Sequence, residues 1–261
     1  MDIIELNNEF IKSDNNLKDN KKIVNFDKAF FYIKDDKFIK IYNKNSIGVI
    51  GEKTILNIKH PNLMEFYFIK ELEYDIEFYY KYYSKEDNWI DLIDIYNNYS
   101  PKTELIEELY NNKRQISLDI INVVRYLHDE CNIAHRDIKP DNILYNSKEQ
   151  KIILCDYEYC RIINKLKKNR KFILGTPLYF PPEMKNNKVN FIDYEKVDIW
   201  NIGFVMYIIF FNKMPIPTKI YNDSDVNLLV KDIKDIFFYT LNLYPEERKS
   251  LDEILKLDYF K

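Results

Sequence analysis

Glycine is scarce in this chain, with 4 positions in 261 residues, where average usage of about 7% would supply roughly 18. That scarcity excludes collagen-like and linker-like chains, and 46% hydrophobic residues exclude disorder and supply a core of ordinary size. Alanine occurs only as Ala29 and Ala134. A surplus of basic charge is also missing, because 39 Lys and Arg stand against 42 Asp and Glu for a net charge of −3. No global basic field draws in a nucleic-acid backbone or an anionic membrane, so no nucleic-acid partner is expected. Long hydrophobic runs are absent. The longest, around residues 202–211, falls well short of the ~20 residues that span a bilayer, and no membrane association is expected. The start, MDIIELNNEF, lacks the charged and apolar regions of a secretory signal, which predicts an intracellular protein, cytoplasmic or nuclear. Cys131, Cys155 and Cys160 are an odd set. They match neither a disulfide framework nor a zinc site and fit a reducing compartment.

What is present divides the chain in two. Residues 1–21 read as a lead-in. From there the β signals crowd together: IVNF, then AFFYIK, an Asp35-Asp36 turn and KFIKIY, β-branched and aromatic runs bounded by turn formers. Residues 47–58 place Ile47, Ile50, Ile55 and Ile58 near helical spacing, and the His60-Pro61-Asn62 turn precedes the strand-like LMEFYFI and IEFYYKYY. Beyond residue 84 the period changes, with apolar residues at helical spacing over 103–130, 197–212 and 226–242. A β-rich first third before a helix-rich remainder predicts an α+β fold of two lobes, 22–83 and 84–261, joined near residues 82–86, and argues against alternating βαβ units.

Chemistry concentrates in the second lobe. HRDIKPDN at residues 135–142 is followed by an apolar strand that ends at Asp156, then by GTPLYFPPE at 175–183 and DIWNIG at 198–203. These motifs, in this order, resemble the eukaryotic-type serine/threonine protein kinases over about residues 26–260. The resemblance implies a bilobal kinase-like fold, with one main helix in the small β-rich lobe and a larger helical lobe. It also implies ATP and Mg²⁺ as cofactors and protein substrates with Ser or Thr acceptors. Phosphoryl transfer needs a positioned hydroxyl and neutralised phosphate charge. Asp137 then orients the acceptor hydroxyl, Asn142 and Asp156 hold Mg²⁺ through hard oxygen donors, and Lys139 stabilises charge developing on the transferred group. Thr176 shapes the acceptor groove beside Asp137 and Lys139. By the same resemblance Glu183 pairs with Arg248, Asp198 caps the backbone around His135 and Arg136, and Trp200 and Gly203 belong to helix packing.

The first lobe matches less closely. Lys40 takes the place of the lysine that grips the α- and β-phosphates, with Lys34 and Lys37 as competitors, and Glu52 takes that of its helix partner. Three departures stand out. No Gly-x-Gly-x-x-Gly precedes Lys40, and the equivalent turn at 25–28 has no glycine. Phe38 replaces a small residue and crowds the nucleotide pocket, unless Ala29 returns that volume. The Asp-Phe-Gly triplet reads Asp156-Tyr157-Glu158, which sets a carboxylate beside the metal site. These departures support a second reading, a pseudokinase serving as a binding or scaffold module with weak or no nucleotide binding.

Three further features carry expectations. Cys155 reads as small buried filler or as a thiol facing the nucleotide, and the former is favoured. The basic run 165–171 reads as a solvated loop face, or as a dock for an acidic substrate or nucleic acid, and it leaves room for an acidic regulatory partner. Residues 157–174 contain neither Ser nor Thr, which predicts that activity needs no phosphate on this loop.

Overall fold

The computed structural model describes residues 29–98, 104–163, 169–170, 173–186 and 189–261. Its first element is the hairpin β1 (Phe30–Lys34) and β2 (Lys37–Asn43). Asp35 and Asp36 turn the chain with φ of 49° and 55°, the twist that lets two strands pair across a two-residue loop. The lead-in 1–21, the strand expected at 23–26 and the glycine-free turn at 25–28 lie outside the described residues.

Helix α1 (Ile47–Ile55) starts at Ser46, whose hydroxyl accepts the Gly48 N–H, and it buries Gly48, Val49, Gly51, Glu52 and Ile55. That spacing is one face of a 3.6-residue period. Strands β3 (Phe66–Glu71) and β4 (Asp75–Lys81) follow. Among the described residues they complete an antiparallel sheet in the order β1-β2-β4-β3. Its register sets Lys40 opposite Phe78 and Phe38 opposite Tyr80.

The second lobe begins with β5 (Trp89–Asp91) running into α2 (Leu92–Asn98), then α3 (Glu104–Asn111) and α4 (Lys113–Asp129). The apolar spacing over 103–130 predicts continuous helix, but the structure breaks it at Asn112. Asn111 and Asn112 are weak helix formers because their amides compete for backbone hydrogen bonds. Strand β6 (Ile133–Ala134) leads to the hairpin β7 (Ile143–Asn146) and β8 (Lys151–Leu154), and β9 (Arg161–Ile162) returns to pair with β6. The short α5 (Pro182–Lys185) precedes α6 (Tyr194–Phe211), which is buried on nearly every side.

The apolar run at 202–211 therefore belongs to the central helix of the lobe. No helix among the described residues is long and apolar enough to cross a membrane. The helix expected over 226–242 is two, α7 (Ser224–Leu228) and α8 (Lys231–Thr240), because Leu229 and Val230 are extended. The last helix, α9 (Leu251–Leu255), carries a reciprocal Ser250–Glu253 cap.

The lobes are stitched behind the cleft. Met64 N donates to Leu154 O at 3.0 Å and Leu154 N to Asn62 O at 2.8 Å. One hydrophobic cluster runs from Phe38 and Phe78 through Leu154 to Trp200 and Phe237. The molecule is α+β and bilobal, with a small β lobe holding one main helix above a larger helical lobe.

Candidate active site

Residues 135–142 leave β6 in a loop that costs backbone energy to hold. Arg136 has φ of 71°, and Asp156 beside it in the same lobe has 67°. Each left-handed non-glycine residue costs on the order of 1–3 kcal/mol and persists only where its surroundings fix it. Asp198 of α6 supplies that fixing. Its wholly buried carboxylate accepts from the backbone N–H of His135 at 2.8 Å and of Arg136 at 2.7 Å, and His128 Nε2 lies 2.8 Å away. His135 itself is buried, which lowers its pKa, and its Nε2 lies 3.2 Å from the Cys155 carbonyl.

With the loop held, its polar side chains converge. Asp137 Oδ1 accepts the Thr176 backbone N–H at 2.8 Å, while Oδ2 lies 3.1 Å from Lys139 Nζ and 3.2 Å from Asn142 Nδ2. Lys139 Nζ also donates to Thr176 Oγ1 at 2.7 Å, and Asn142 Nδ2 to the Asp137 carbonyl at 2.8 Å. Gly175 makes the approach possible. Its φ is 112°, and a Cβ there would meet the Arg136 carbonyl at 2.9 Å. Burial disfavours the charge on Lys139, but Asp137, Asp141 and Asp156 outweigh it and raise its pKa.

The upper lobe contributes Lys40. Its Nζ lies 2.9 Å from Glu52 Oε1 and 2.5 Å from Asp156 Oδ1, so the strand, the helix and the lower lobe meet at one ammonium. Of the competing lysines, Lys34 is exposed and Lys37 donates to the Asp35 carbonyl in the hairpin turn. Burial opposes ionisation of Asp156, yet the ammonium groups of Lys40 and Lys139 hold its carboxyl below the ordinary carboxylate range. Glu158 behaves oppositely. Burial first, then the neighbouring Asp156 charge, pushes it up to about 7.

Sequence reasoning missed what holds these groups. Glu52 is fully buried and accepts from the hydroxyls of Tyr42, at 2.9 Å, and Tyr80 as well as from Lys40. Strand alternation carries a signal for Tyr42, two residues beyond Lys40 on the same face, but Tyr80 enters through sheet register alone. Gly51 seats α1 against the Asp156-Tyr157-Glu158 turn. A Cβ on it would fall 2.1 Å from the Glu158 carbonyl oxygen and 2.3 Å from that of Tyr157. Tyr157 is buried, and its hydroxyl receives the Met64 N–H at 2.7 Å and donates to Leu154 O at 2.9 Å. Cys155 is half-buried with its thiol toward the Asn142 carbonyl at 3.4 Å, and burial pushes that thiol well up, which favours packing over reactivity. Apart from the backbone of residues 169–170, the run 165–171 lies largely outside the described residues.

Below the cleft, Glu183 and Arg248 form a buried two-bond pair at 2.7 and 2.8 Å, with the guanidinium over Trp200 at 4.8 Å. Removing one partner of such a pair costs about 3–5 kcal/mol. Phe38 is buried beneath the sheet with its ring 5.9 Å from that of Phe31.

The donors suit a hard cation. Asp156 supplies an ionised carboxylate, and Asn142, with its amide nitrogen bonded to Asp137, leaves Oδ1 to coordinate. Magnesium is commonly held by one or two such protein groups together with substrate phosphates. Among the described residues no cluster of three or more His, Cys, Asp or Glu side chains is placed to hold a metal by itself.

Comparison with known proteins gives a consistent picture. The protein kinase domain family model matches residues 27–260. The chain is 31% identical over 243 residues to a putative serine/threonine-protein kinase of Acanthamoeba polyphaga mimivirus, covering 85% of this chain and 84% of the relative. It is 30% identical over 246 residues to calcium-dependent protein kinase 5 of Plasmodium falciparum, covering 85% of this chain but 40% of that protein. The structure of the PK-1 kinase of Cydia pomonella granulovirus matches with a TM-score of 0.69 at 22% identity, over 89% of this chain and 90% of that one.

Proposed function

The chain belongs to the protein kinase family, and from that premise we propose that it is an active serine/threonine kinase, moving the γ-phosphoryl of ATP to Ser or Thr hydroxyls of protein substrates. The observation that carries this reading is the convergence of Asp137, Lys139, Asn142 and Thr176 in one hydrogen-bonded group, with Lys40 bonded to Asp156 across the cleft.

In this reading Asp137 orients the acceptor hydroxyl and accepts its proton as the oxygen bonds to phosphorus and ADP departs. Lys139, 3.1 Å from Asp137, sets a cation beside the developing negative charge. Lys40 directs its ammonium at the phosphates, and Glu52 keeps it extended toward them. Asp156 and Asn142 would hold Mg²⁺, which would supply neutralisation of phosphate charge. Thr176, bonded to Lys139, borders the acceptor site and favours an aliphatic hydroxyl.

Acceptor mapping tests the specificity. After incubation with ATP, Mg²⁺ and a basic protein, mass spectrometry is expected to find phosphate on Ser and Thr. Phosphate on Tyr alone would overturn the assignment. A binding-module reading draws support from Glu158, a carboxylate in the place of a hinge glycine two residues from Asp156. Thermal shift separates the two readings: stabilisation that grows with Mg²⁺·ATP concentration supports the enzyme, and none supports the scaffold.

A further inference from the structure

We infer that Tyr42 and Tyr80 are positioning residues that clamp Glu52, so that α1 is held inward and Lys40 is placed before nucleotide arrives. The inference rests on the proposed kinase activity for its consequence, though not for its geometry.

Glu52 has no exposed surface. A buried carboxylate must fill its acceptor sites, and the Lys40 ammonium at 2.9 Å from Oε1 occupies only one of them. Tyr42 donates to the same Oε1 at 2.9 Å, and Tyr80 donates to Oε2. Both rings are buried, at 0% and 1% exposure, so neither hydroxyl turns to water. Burial, reinforced by the Glu52 charge, holds both phenols well above their ordinary pKa, and both remain O–H donors.

The two tyrosines stand on different strands, β2 and β4, and Tyr80 also meets Phe66 edge-on at 5.6 Å. The glutamate is therefore tied to the sheet at both oxygens, by donors whose rings are fixed in the core. Hydrogen bonds to a charged group are worth more than neutral ones, and they are directed at the single side chain through which α1 reaches Lys40. The outer face of α1 shows exposed Ile47 and Ile50, which add nothing to the sheet contact. With the clamp in place the competent arrangement is the resting one. Without it, part of the population holds α1 outward, and ATP must select the remainder.

Tyr42→Phe and Tyr80→Phe remove one hydroxyl each and keep the rings. Amide hydrogen exchange across residues 47–55 is expected to accelerate roughly tenfold or more in each variant, while exchange across 194–211 stays as in wild type. Tyr79→Phe is the control. Tyr79 donates to Glu77 on the same sheet, away from Glu52, and its loss leaves residues 47–55 protected. In the variant carrying both Tyr42→Phe and Tyr80→Phe, KM for ATP rises and kcat at saturating ATP is retained, because nucleotide restores the competent population. A purely structural role would lower the active fraction, and with it kcat, at constant KM. Unchanged exchange across 47–55 in both single variants overturns the clamp, whatever the activity. If the wild type transfers no phosphate, the kinase reading falls, and the exchange data still decide the clamp.

Discussion

The guanidinium of Arg136 lies over the ring of Tyr194, 4.2 Å from its centre. Arg136 directly precedes the proposed catalytic Asp137, and it is buried, with its Nη1 3.5 Å from the Tyr159 carbonyl. A cation seated on an aromatic face with a carbonyl nearby has its charge met within the protein.

That contact, with the absence of Ser and Thr from residues 157–174, predicts a kinase that works without a phosphorylated loop. In kinases regulated there, a phosphate dianion supplies the counter-charge that orders the segment. Phosphatase treatment, checked by mass spectrometry, is expected to leave activity intact. Loss of activity together with a phosphate mapped inside residues 157–176 would contradict this.

Gly51 yields a prediction opposite in sign to helix propensity. At an exposed helical site Gly→Ala stabilises by about 1 kcal/mol. Here the added Cβ would fall 2.1 Å from the Glu158 carbonyl oxygen, so α1 must shift off the Asp156 turn and carry Glu52 with it. Gly51→Ala is expected to lower the melting temperature and cut phosphotransfer sharply. A rise in melting temperature with full activity would show that the contact does not matter.

Asp91 provides a pH signature. It is buried, its Oδ1 accepts the Asp94 N–H at 2.6 Å, and burial together with the Asp94 charge pushes its carboxyl up to about 7 from an ordinary 3.8. A folded-state pKa above the unfolded one favours folding while the group is protonated. This contribution is complete below about pH 4 and is lost as pH rises through about 7. Asp91→Asn keeps the acceptor and removes the ionisation. The melting temperature of the variant relative to wild type is expected to improve steadily from pH 4 to pH 8, and a constant difference would refute the assignment.

How much of this was legible in the sequence follows from where the partners lie in the chain. Asp137, Lys139 and Asn142 sit within six positions, so their type and spacing were readable before any fold was known. The α+β division was legible because the apolar period changes from strand-like to helical. The two helix breaks were not, since apolar spacing continues through Asn112 and through Leu229-Val230 while the backbone turns extended or irregular. Glu52 was legible as a partner for Lys40, but Tyr80, 28 residues from Glu52, arrives through the β2–β4 register. Tyr194 reaches Arg136 only through the packing of α6 beneath the loop. The glycine pattern was half legible: the missing hinge at Glu158 was plain, whereas Gly51 on α1, which packs against that turn, emerges only in three dimensions.

The most direct measurement is transfer of labelled phosphate from ATP to a generic basic protein in the presence of Mg²⁺, run on wild type beside Asp137→Ala and Asp156→Ala. On the proposed roles, with Asp137 orienting the acceptor and Asp156 holding the metal, the wild type is expected to label the protein and each variant to fall to background. Asp156→Ala should in addition lose the Mg²⁺ dependence of nucleotide binding. Equal labelling by all three proteins, or none by the wild type, would contradict the assignment of this cleft as a phosphotransfer site.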